Sequence, residues 1–175
     1  MNKTILVIDD EELQAKNLAD ALQKELPEFV FNYVWKEDEI QKAVVSTFYS
    51  IALVDLRMDG YKFDGFDIID LISDVNPFSK VVAVSAYTEE YMQKLSDYMS
   101  DGKLLSITDK DSFDKWIPKL KDVIVAYYNK EMNPITVQVL EDSFAEAKNE
   151  ADAFKKGKMF EDFVVNLFRQ MGFVH

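Results

Sequence analysis

Polar side chains that can take part in metal or phosphoryl chemistry stand where apolar segments of this chain end. Asp9 and Asp10 follow the first segment, Asp55 and Ser85 stand at the ends of two later ones, and Lys110 follows the last. An aspartate can attack a phosphoryl group, and this transfer needs cations that neutralise the phosphoryl oxygens. Because clustered carboxylates repel one another, they favour a bound cation, and Mg²⁺ prefers carboxylate, water and phosphate oxygens. These residue types therefore predict aspartyl-phosphate chemistry that depends on Mg²⁺.

Each of these residues also has a simpler interpretation. Asp9 and Asp10 could cap the following helix, which is a common role of Asp after a strand. Asp55 could be a turn residue, and Ser85 and Lys110 could be ordinary loop residues. Their occurrence together at successive strand ends favours the chemical interpretation. In that interpretation Asp9 and Asp10 bind Mg²⁺, the ammonium group of Lys110 is a second cation, and the Ser85 hydroxyl donates to a phosphoryl oxygen.

Five mainly apolar runs predict the strands that position these residues: 4–8, 29–35, 51–56, 81–85 and 104–108. Most are apolar throughout rather than alternating, which is typical of a parallel sheet covered on both faces. The run 29–35 alternates less cleanly, which indicates an edge strand. Helical patterns separate the runs, so that about the first 130 residues form five strand–helix units. This alternation favours an α/β fold with a doubly wound parallel sheet, whose functional crevice lies beyond the carboxyl ends of the strands.

Two helix boundaries carry specific predictions. Thr88 is suited to cap the fourth helix, with Glu89 and Glu90 in its first turn. Pro118 interrupts the apolar pattern of the fifth helix. It indicates either a kink or a helix start at that position.

The overall composition limits the classes of function. The formal net charge is −12, and so negative a surface disfavours direct binding to nucleic-acid backbones. The chain has no cysteine and its single histidine is His175, which excludes thiol chemistry and a Ser-His-Asp triad. No apolar run is long enough to span a bilayer, and no signal segment precedes the first strand. We therefore expect a cytoplasmic protein that does not contact a membrane.

Four parts of the sequence resemble the successive signatures of response-regulator receiver domains. They are Ile-Leu-Val-Ile-Asp-Asp-Glu at residues 5–11, Ala-Leu-Val-Asp-Leu-Arg-Met at 52–58, Val-Ala-Val-Ser-Ala at 82–86, and Lys110. The resemblance covers about the first 130 residues and implies a five-stranded sheet in the order 2-1-3-4-5. We expect a receiver domain at residues 1–130 and a C-terminal helical extension at 131–175.

The resemblance also assigns roles to the residues at the strand ends. It implies that Mg²⁺ is bound by Asp9, Asp10, Asp55 and the backbone carbonyl of Arg57. Asp55 would accept a phosphoryl group from a histidine kinase or a phosphotransfer protein, Ser85 would be the switch hydroxyl, and Lys110 would contact the phosphate. Such a domain is a signalling receiver rather than an enzyme, with only magnesium-dependent self-phosphotransfer and autodephosphorylation, and it switches a C-terminal output.

Three positions depart from the pattern of this family. Where receivers usually have Pro and soon afterwards Asp-Gly, this chain has Asp59 and a longer loop before Asp64. Asp59 is expected to add negative charge near the metal. Asp111 replaces the Pro that commonly follows the lysine, and Ile107 replaces an aromatic residue that moves with the switch hydroxyl. The change at Ile107 affects the usual aromatic relay and leaves the phosphorylation chemistry in place.

After the Asn133-Pro134 break, a further helix is predicted to pair with a second copy of the chain. Small and apolar residues recur there at spacings of three and four: Val137, Leu140, Phe144, Ala147, Ala151 and Phe154. Such a seam is typical of paired helices in a coiled coil, so we expect a homodimer held by this helix. The alternative is a helix that packs onto its own receiver.

The end of the chain predicts one more amphipathic helix, because Gly157 breaks the preceding pattern and Gly172 suits a helix end. With Phe160 and Glu161, this segment resembles the opening helix of Mrr-like restriction-endonuclease domains. The catalytic strands of that family are absent from this sequence. The segment is therefore interpreted either as the start of a nuclease-like output domain or as a docking or dimerisation helix.

Three other functions remain as alternatives to a phosphorylated receiver. One is a receiver-like scaffold or dimerisation module that works without phosphorylation, and another is the regulatory fragment of a nuclease-like protein. A third is a phosphatase with an Asp nucleophile, similar to haloacid dehalogenases. Those enzymes have a second Asp two residues after the nucleophile, where this chain has Arg57. Phosphorylation of Asp55 separates the receiver from the scaffold.

Overall fold

The computed structural model describes residues 3–131 and 134–170. Its contacts divide the chain into two compact units, Met1–Ile124 and Val125–His175. Within the described residues, none of the helices combines the length and the apolar character that crossing a membrane requires.

The first unit is built on a sheet of five parallel strands in the order β2-β1-β3-β4-β5. The strands are β1 Thr4–Ile8, β2 Val30–Val34, β3 Ile51–Val54, β4 Lys80–Ser85 and β5 Ser106–Asp109. The helices that alternate with them are α1 Glu12–Glu25, α2 Glu37–Ser46, α3 Gly65–Val75, α4 Met92–Ser100 and α5 Phe113–Glu131. The predicted α/β fold and the strand order are confirmed.

Burial explains the places of the strands in the sheet. Every residue of β1 and β3 is buried, as their apolar sequences predict. β2 is one of the two edge strands, and its Val30 and Tyr33 are 51% and 40% exposed. Ile8 is in register with both Val34 and Val54, so that the carboxyl ends of three neighbouring strands meet.

The start of α4 differs from the sequence prediction. The helix begins at Met92, and its N-cap residue is Tyr91 rather than Thr88. Thr88 is buried, and its hydroxyl donates a hydrogen bond to the carboxylate of Asp109 at the end of β5. Because the hydroxyl is engaged there, it does not cap the helix.

Several other boundaries also differ. β2 spans Val30–Val34 rather than 29–35, β3 ends at Val54 rather than at 56, and β4 begins at Lys80 rather than at 81. β5 begins at Ser106, whereas the apolar pattern predicts a start at residue 104. α5 begins at Phe113 and continues through Pro118, so Pro118 does not start the helix.

The second unit contains the end of α5 and two more helices, α6 Pro134–Asn149 and α7 Ala153–Gln170. Asp152 stands directly before α7, and its Oδ1 accepts hydrogen bonds from the amides of Phe154 at 3.0 Å and Lys155 at 2.9 Å. This cap starts a new helix within the predicted seam, so the seam as one helix through Phe154 is wrong. The predicted break at Gly157 is also wrong, because α7 runs through that residue.

Side chains of α6 and α7 pack against each other. The ring centre of Phe144 lies 5.8 Å from that of Phe160 and 5.4 Å from that of Phe163. Part of the predicted seam is therefore covered by the same chain. The side chain of Val137 and the predicted helix end at Gly172 lie outside the described residues.

Candidate metal and phosphoryl site

β1 and β3 bring two aspartates to neighbouring positions at the carboxyl edge of the sheet. Asp9 follows Ile8 and Asp55 follows Val54, and Ile8 is in register with Val54. The amide of Asp55 donates a hydrogen bond to the carbonyl oxygen of Ile8 at 2.9 Å, which holds the two positions side by side. Asp9 is only 2% exposed, and a charge so deeply buried requires charged or hydrogen-bonding partners.

Asp10 completes a group of three carboxylates. One carboxylate oxygen from each of Asp9, Asp10 and Asp55 lies within 4.8 Å of the other two. Backbone amides orient two of the groups: Glu11 donates to Asp9 Oδ1 at 2.9 Å and Asp59 donates to Asp10 Oδ2 at 2.8 Å. Carboxylate oxygens at this spacing fit a hard cation such as Mg²⁺, which retains water ligands beside them.

Lys110 supplies the positive charge of the site. It follows β5, and its Nζ donates to Asp9 Oδ2 at 2.7 Å and to Asp55 Oδ2 at 2.5 Å. Gln14 Oε1 is a third, longer acceptor at 3.4 Å. The Lys110 side chain is only 11% exposed, so its charge is little screened by solvent.

The electrostatics of this cluster reflect three carboxylates beside one cation, which pairs with two of them. Burial raises the pKa of Asp55, and the charge of Asp9 adds to this effect against the opposing charge of Lys110. Burial also raises the pKa of Asp10, against the opposing hydrogen bond from the Asp59 amide, and the charges of Asp9 and Asp55 add smaller contributions in the same direction as burial. For Lys110, burial acts to lower the pKa, but the charges of Asp55 and Asp9 outweigh it and raise the pKa. The protein groups by themselves therefore hold an excess of negative charge that a divalent cation would neutralise.

Ser85 is connected to Lys110 through the backbone. It ends β4, it is fully buried, and its hydroxyl oxygen accepts a hydrogen bond from the Tyr87 amide at 3.2 Å. Its carbonyl oxygen accepts from the amide of Lys110 at 3.0 Å. Within residues 3–131 and 134–170, the Ser85 hydroxyl makes no hydrogen bond to the three carboxylates. The structure thus places the Ser85 hydroxyl at the end of β4, next to β3, without a hydrogen bond to the three carboxylates.

Arg57 and Asp59 are paired on the surface beside the cluster. The amide of Arg57 donates to Asp55 Oδ1 at 3.4 Å, and its Nε donates to Asp59 Oδ1 at 2.8 Å. The guanidinium carbon also lies 4.4 Å from the centre of the Tyr87 ring. The Asp59 carboxylate is 71% exposed, its charge is paired with Arg57, and it is not one of the three clustered carboxylates, so its effect on the metal stays a prediction. Asp59 contributes its amide to Asp10.

The longer loop after β3 forms a turn beside Asp10, which sequence reasoning missed. The amide of Tyr61 donates to the carbonyl oxygen of Met58 at 3.2 Å, and Gly60 has a φ of 82°. The hydroxyl of Tyr61 donates to the carbonyl oxygen of Trp35, and it lies 3.3 Å from the carbonyl oxygen of Asp10. Burial raises the pKa of Tyr61, and the negative charge of Asp10 adds to it. The extra length of the loop was the only signal in the sequence for this arrangement.

Gly65 is required by the close approach of α3 to the acceptor strand. A Cβ atom at this position would lie 2.1 Å from the carbonyl oxygen of Asp55 and 2.5 Å from the Cα of Leu56. Asp64 caps the helix, since its side chain accepts from the Asp67 amide while the Asp67 side chain accepts from the Asp64 amide. This capping box and the small glycine let α3 begin against the backbone that carries Asp55.

Comparison with known proteins places these residues in a family. The sequence pattern of the response regulator receiver domain matches residues 5–110. None of the curated protein sequences is significantly similar to the chain.

Solved structures share the fold. The response regulator domain of Thermotoga maritima CheB is similar with a TM-score of 0.62 and 20% identity, covering 74% of this chain and 98% of that one. The structure described as adenylate cyclase from Rhodopirellula baltica has a TM-score of 0.59 at 17% identity, covering 81% of this chain and 98% of that one. The response regulator protein TrrA from Thermotoga maritima, in complex with Mg²⁺–BeF, is 26% identical with a TM-score of 0.51, covering 69% of this chain and 98% of that one.

Proposed function

This chain belongs to the response regulator receiver family, and from that premise we propose that it accepts a phosphoryl group on Asp55 from a histidine kinase or a phosphotransfer protein. The observation that supports the proposal best is the position of the Lys110 ammonium nitrogen, 2.5 Å from Asp55 Oδ2 and 2.7 Å from Asp9 Oδ2. A nucleophile of this kind needs a cation beside it to neutralise the charge of the incoming phosphoryl oxygens.

The carboxylates of Asp9, Asp10 and Asp55, with the backbone carbonyl of Arg57, are the proposed ligands of Mg²⁺. The spacing of the three carboxylates and the raised pKa values of Asp10 and Asp55 support a divalent cation at this place. The similar protein TrrA is described in complex with Mg²⁺–BeF, which is in line with the proposal. When bound, the ion would neutralise charge on the phosphoryl oxygens during transfer.

In the transfer step, a carboxylate oxygen of Asp55 forms a bond to phosphorus while the phosphorus–nitrogen bond of the donor phosphohistidine breaks. The imidazole nitrogen leaves with the electron pair of that bond, and the product is an acyl phosphate on Asp55. The Lys110 ammonium then exchanges its contact with the Asp55 carboxylate for a contact with a phosphoryl oxygen. This self-directed transfer and the later hydrolysis of the acyl phosphate are the only reactions proposed for the chain.

The switch follows from the contacts of Ser85 and Lys110. A phosphoryl group on Asp55 offers new acceptor oxygens next to the buried Ser85 hydroxyl, which at present accepts from the Tyr87 amide. The hydroxyl can donate to one of these oxygens, while Lys110 binds another. Because Lys110 and Ser85 are joined through their backbones, both responses act on the ends of β4 and β5.

We also propose that residues 1–130 are the receiver and that the helical extension at 131–175 carries the output and a homodimer contact. Several apolar side chains of α6 and α7 support the dimer because they are exposed: Val139 at 56%, Phe154 at 85%, and Val164 and Val165 at 41% each. A second copy related by two-fold symmetry would bury these side chains.

The acceptor assignment is tested by incubating the protein with acetyl phosphate and MgCl₂ and measuring its intact mass. The parent should gain one phosphoryl group, and the gain should require Mg²⁺. Asp55→Asn should gain none. Asp64→Asn is the matched control, because Asn also caps helices well and this residue starts α3 without belonging to the cluster.

Two outcomes contradict the proposal in different ways. Equal labelling of Asp55→Asn and the parent would move the acceptor elsewhere. A parent that gains no phosphoryl group in the presence of Mg²⁺ would favour the phosphorylation-independent scaffold.

A further inference from the structure

The turn at residues 58–61, here called the Asp10 turn, holds Asp10 at two points. The Asp59 amide donates to Asp10 Oδ2 at 2.8 Å, and the Tyr61 hydroxyl lies 3.3 Å from the Asp10 carbonyl oxygen. The first contact orients the carboxylate and the second lies on the backbone behind it. The Tyr61 hydroxyl has one proton, which the carbonyl oxygens of Trp35 and Asp10 share, so it links the backbone of Asp10 to the end of β2 while the Asp59 amide orients the carboxylate.

The Asp10 turn is itself closed and anchored. A hydrogen bond from the Tyr61 amide to the Met58 carbonyl oxygen closes it, and the positive φ of Gly60 belongs to turns that require glycine at the third position. The Tyr61 hydroxyl donates to the carbonyl oxygen of Trp35, just beyond β2. The next amide, that of Lys62, donates to Glu37 Oε1 at 2.9 Å at the start of α2.

We propose that the Asp10 turn sets the Mg²⁺ affinity of this protein, with the Asp59 amide and the Tyr61 hydroxyl as positioning groups that hold Asp10 as a ligand. The proposal rests on the magnesium site put forward under the proposed function. The inference adds that Mg²⁺ affinity also depends on residues of the longer loop of this chain, which are not themselves ligands.

The physical reason is preorganisation. A carboxylate on a strand end must lose its side-chain freedom when it coordinates an ion, and a group that is already oriented loses less. A carboxylate oxygen that accepts one amide hydrogen bond still has a lone pair for a metal. Outer partners of this kind typically change metal affinity by about 10–100-fold when they are removed.

Two substitutions remove the two contacts separately. Tyr61→Phe deletes the hydroxyl and keeps the ring that packs against Phe63, with ring centres 5.9 Å apart. Asp59→Pro deletes the amide hydrogen at the second position of the turn, where Pro is common in turns of this class. Each should weaken Mg²⁺ binding by about tenfold.

The controls are matched to these changes. Asp59→Ala keeps the amide and removes only an exposed carboxylate, so Mg²⁺ binding should change by less than about twofold. Tyr33→Phe removes a hydroxyl from the exposed edge strand and should leave the affinity within the same limit.

The measurement is the dissociation constant for Mg²⁺, obtained from MgCl₂ titrations followed by intrinsic tryptophan fluorescence and, independently, by the rise in melting temperature. The melting temperature in EDTA is recorded for each variant. A merely structural role would lower the melting temperature in EDTA and leave the dissociation constant unchanged.

Failure of this inference is distinguishable from failure of the proposed function. If the parent shows no Mg²⁺ response, the magnesium site itself is wrong, and with it the role of the turn. If the parent binds Mg²⁺ and Asp59→Pro binds it equally well, the magnesium site stands and the role of the turn is wrong. Asp59→Pro decides the matter even if Tyr61→Phe fails to fold.

Discussion

The Lys110 ammonium group and the Asp55 carboxylate form an ion pair at 2.5 Å, in which the two side chains are only 11% and 12% exposed. Neither charge can be removed without leaving the other nearly buried and less well compensated. Breaking such a pair from one side is costly, whereas an exposed pair contributes little. The proposed acceptor and its cation therefore depend on each other for stability as well as for chemistry.

Lys110→Met should lower the free energy of unfolding by about 3 kcal/mol at neutral pH in EDTA, because it leaves Asp55 and Asp9 without their shared counter-ion. Urea denaturation measures this change, and added Mg²⁺ should restore part of the loss. In the control Lys119→Met, the lysine is 57% exposed and pairs with Asp111 at 3.7 Å, so the change should stay below about 0.5 kcal/mol. Equal losses in the two variants would contradict the importance of the buried pair.

Asp10→Asn should stabilise the protein in EDTA, and the gain should grow with pH. The folded-state pKa of Asp10 is raised, first by burial, so the folded state favours the protonated carboxyl group. The stability gained from this protonation is fully present below the unfolded-state pKa and is lost as the pH rises through the folded-state pKa. Melting temperatures of parent and variant should therefore converge near about pH 4 and separate towards about pH 7. With MgCl₂ the parent should gain more than the variant.

Asp20→Asn, on the exposed side of α1, is the control for this pH series. A plot of its melting temperature against pH should run parallel to that of the parent. If the melting temperatures of Asp10→Asn also ran parallel to those of the parent across the pH series, the charge of Asp10 in the carboxylate cluster would not destabilise the folded state.

Gly65→Ala should destabilise the first unit by about 2–3 kcal/mol, because the added Cβ would overlap the backbone of Asp55 and Leu56. These backbone atoms cannot move aside as the end of a flexible side chain can. Phosphorylation should fall as well, since the strain reaches the acceptor residue. Gly157→Ala on α7 meets no atom within 4 Å and should raise helix stability by about 0.5–1 kcal/mol. Chemical denaturation and intact-mass labelling measure the two effects, and a neutral Gly65→Ala would contradict the close approach.

The double change Phe154→Glu and Val164→Glu should convert a dimer into a monomer, because these side chains are exposed on α7 at 85% and 41%. Sedimentation at micromolar concentration measures the change. Phe144 is a poorer probe, since its ring packs against α7 of the same chain. Lys155→Glu is the control for added negative charge and should remain dimeric. A parent that sediments as a monomer, with and without phosphorylation, would rule out the dimer.

Much of the first unit could be predicted because its signals are local. Runs of apolar residues set the strands, and the position of Asp55 at a strand end follows from the parallel arrangement. The partner of Thr88 could not be predicted, because Asp109 is distant in sequence and only the folded sheet brings the two together. For the same reason, nothing local showed that Tyr61 reaches the ends of β1 and β2.

The helical extension illustrates a different limit. Spacings of three and four report which side chains are apolar, and they continue from Phe144 to Phe154 without interruption. They do not report whether the backbone is continuous between those residues. The chain ends one helix at Asn149 and starts another at Ala153, because the Asp152 carboxylate accepts the first free amides of α7.

One backbone hydrogen bond, from the Lys110 amide to the Ser85 carbonyl oxygen at 3.0 Å, spans the ends of β4 and β5. Lys110 and Ser85 are the two residues whose side chains are proposed to contact the phosphoryl group. Because the bond joins backbone atoms, substitutions at these residues keep its donor and acceptor, except for Pro at position 110, which has no amide hydrogen. Any change in the spacing of these strand ends must lengthen or shorten it. The chemical shift and deuterium exchange of a single proton, the Lys110 N–H, therefore report on the switch from the backbone itself.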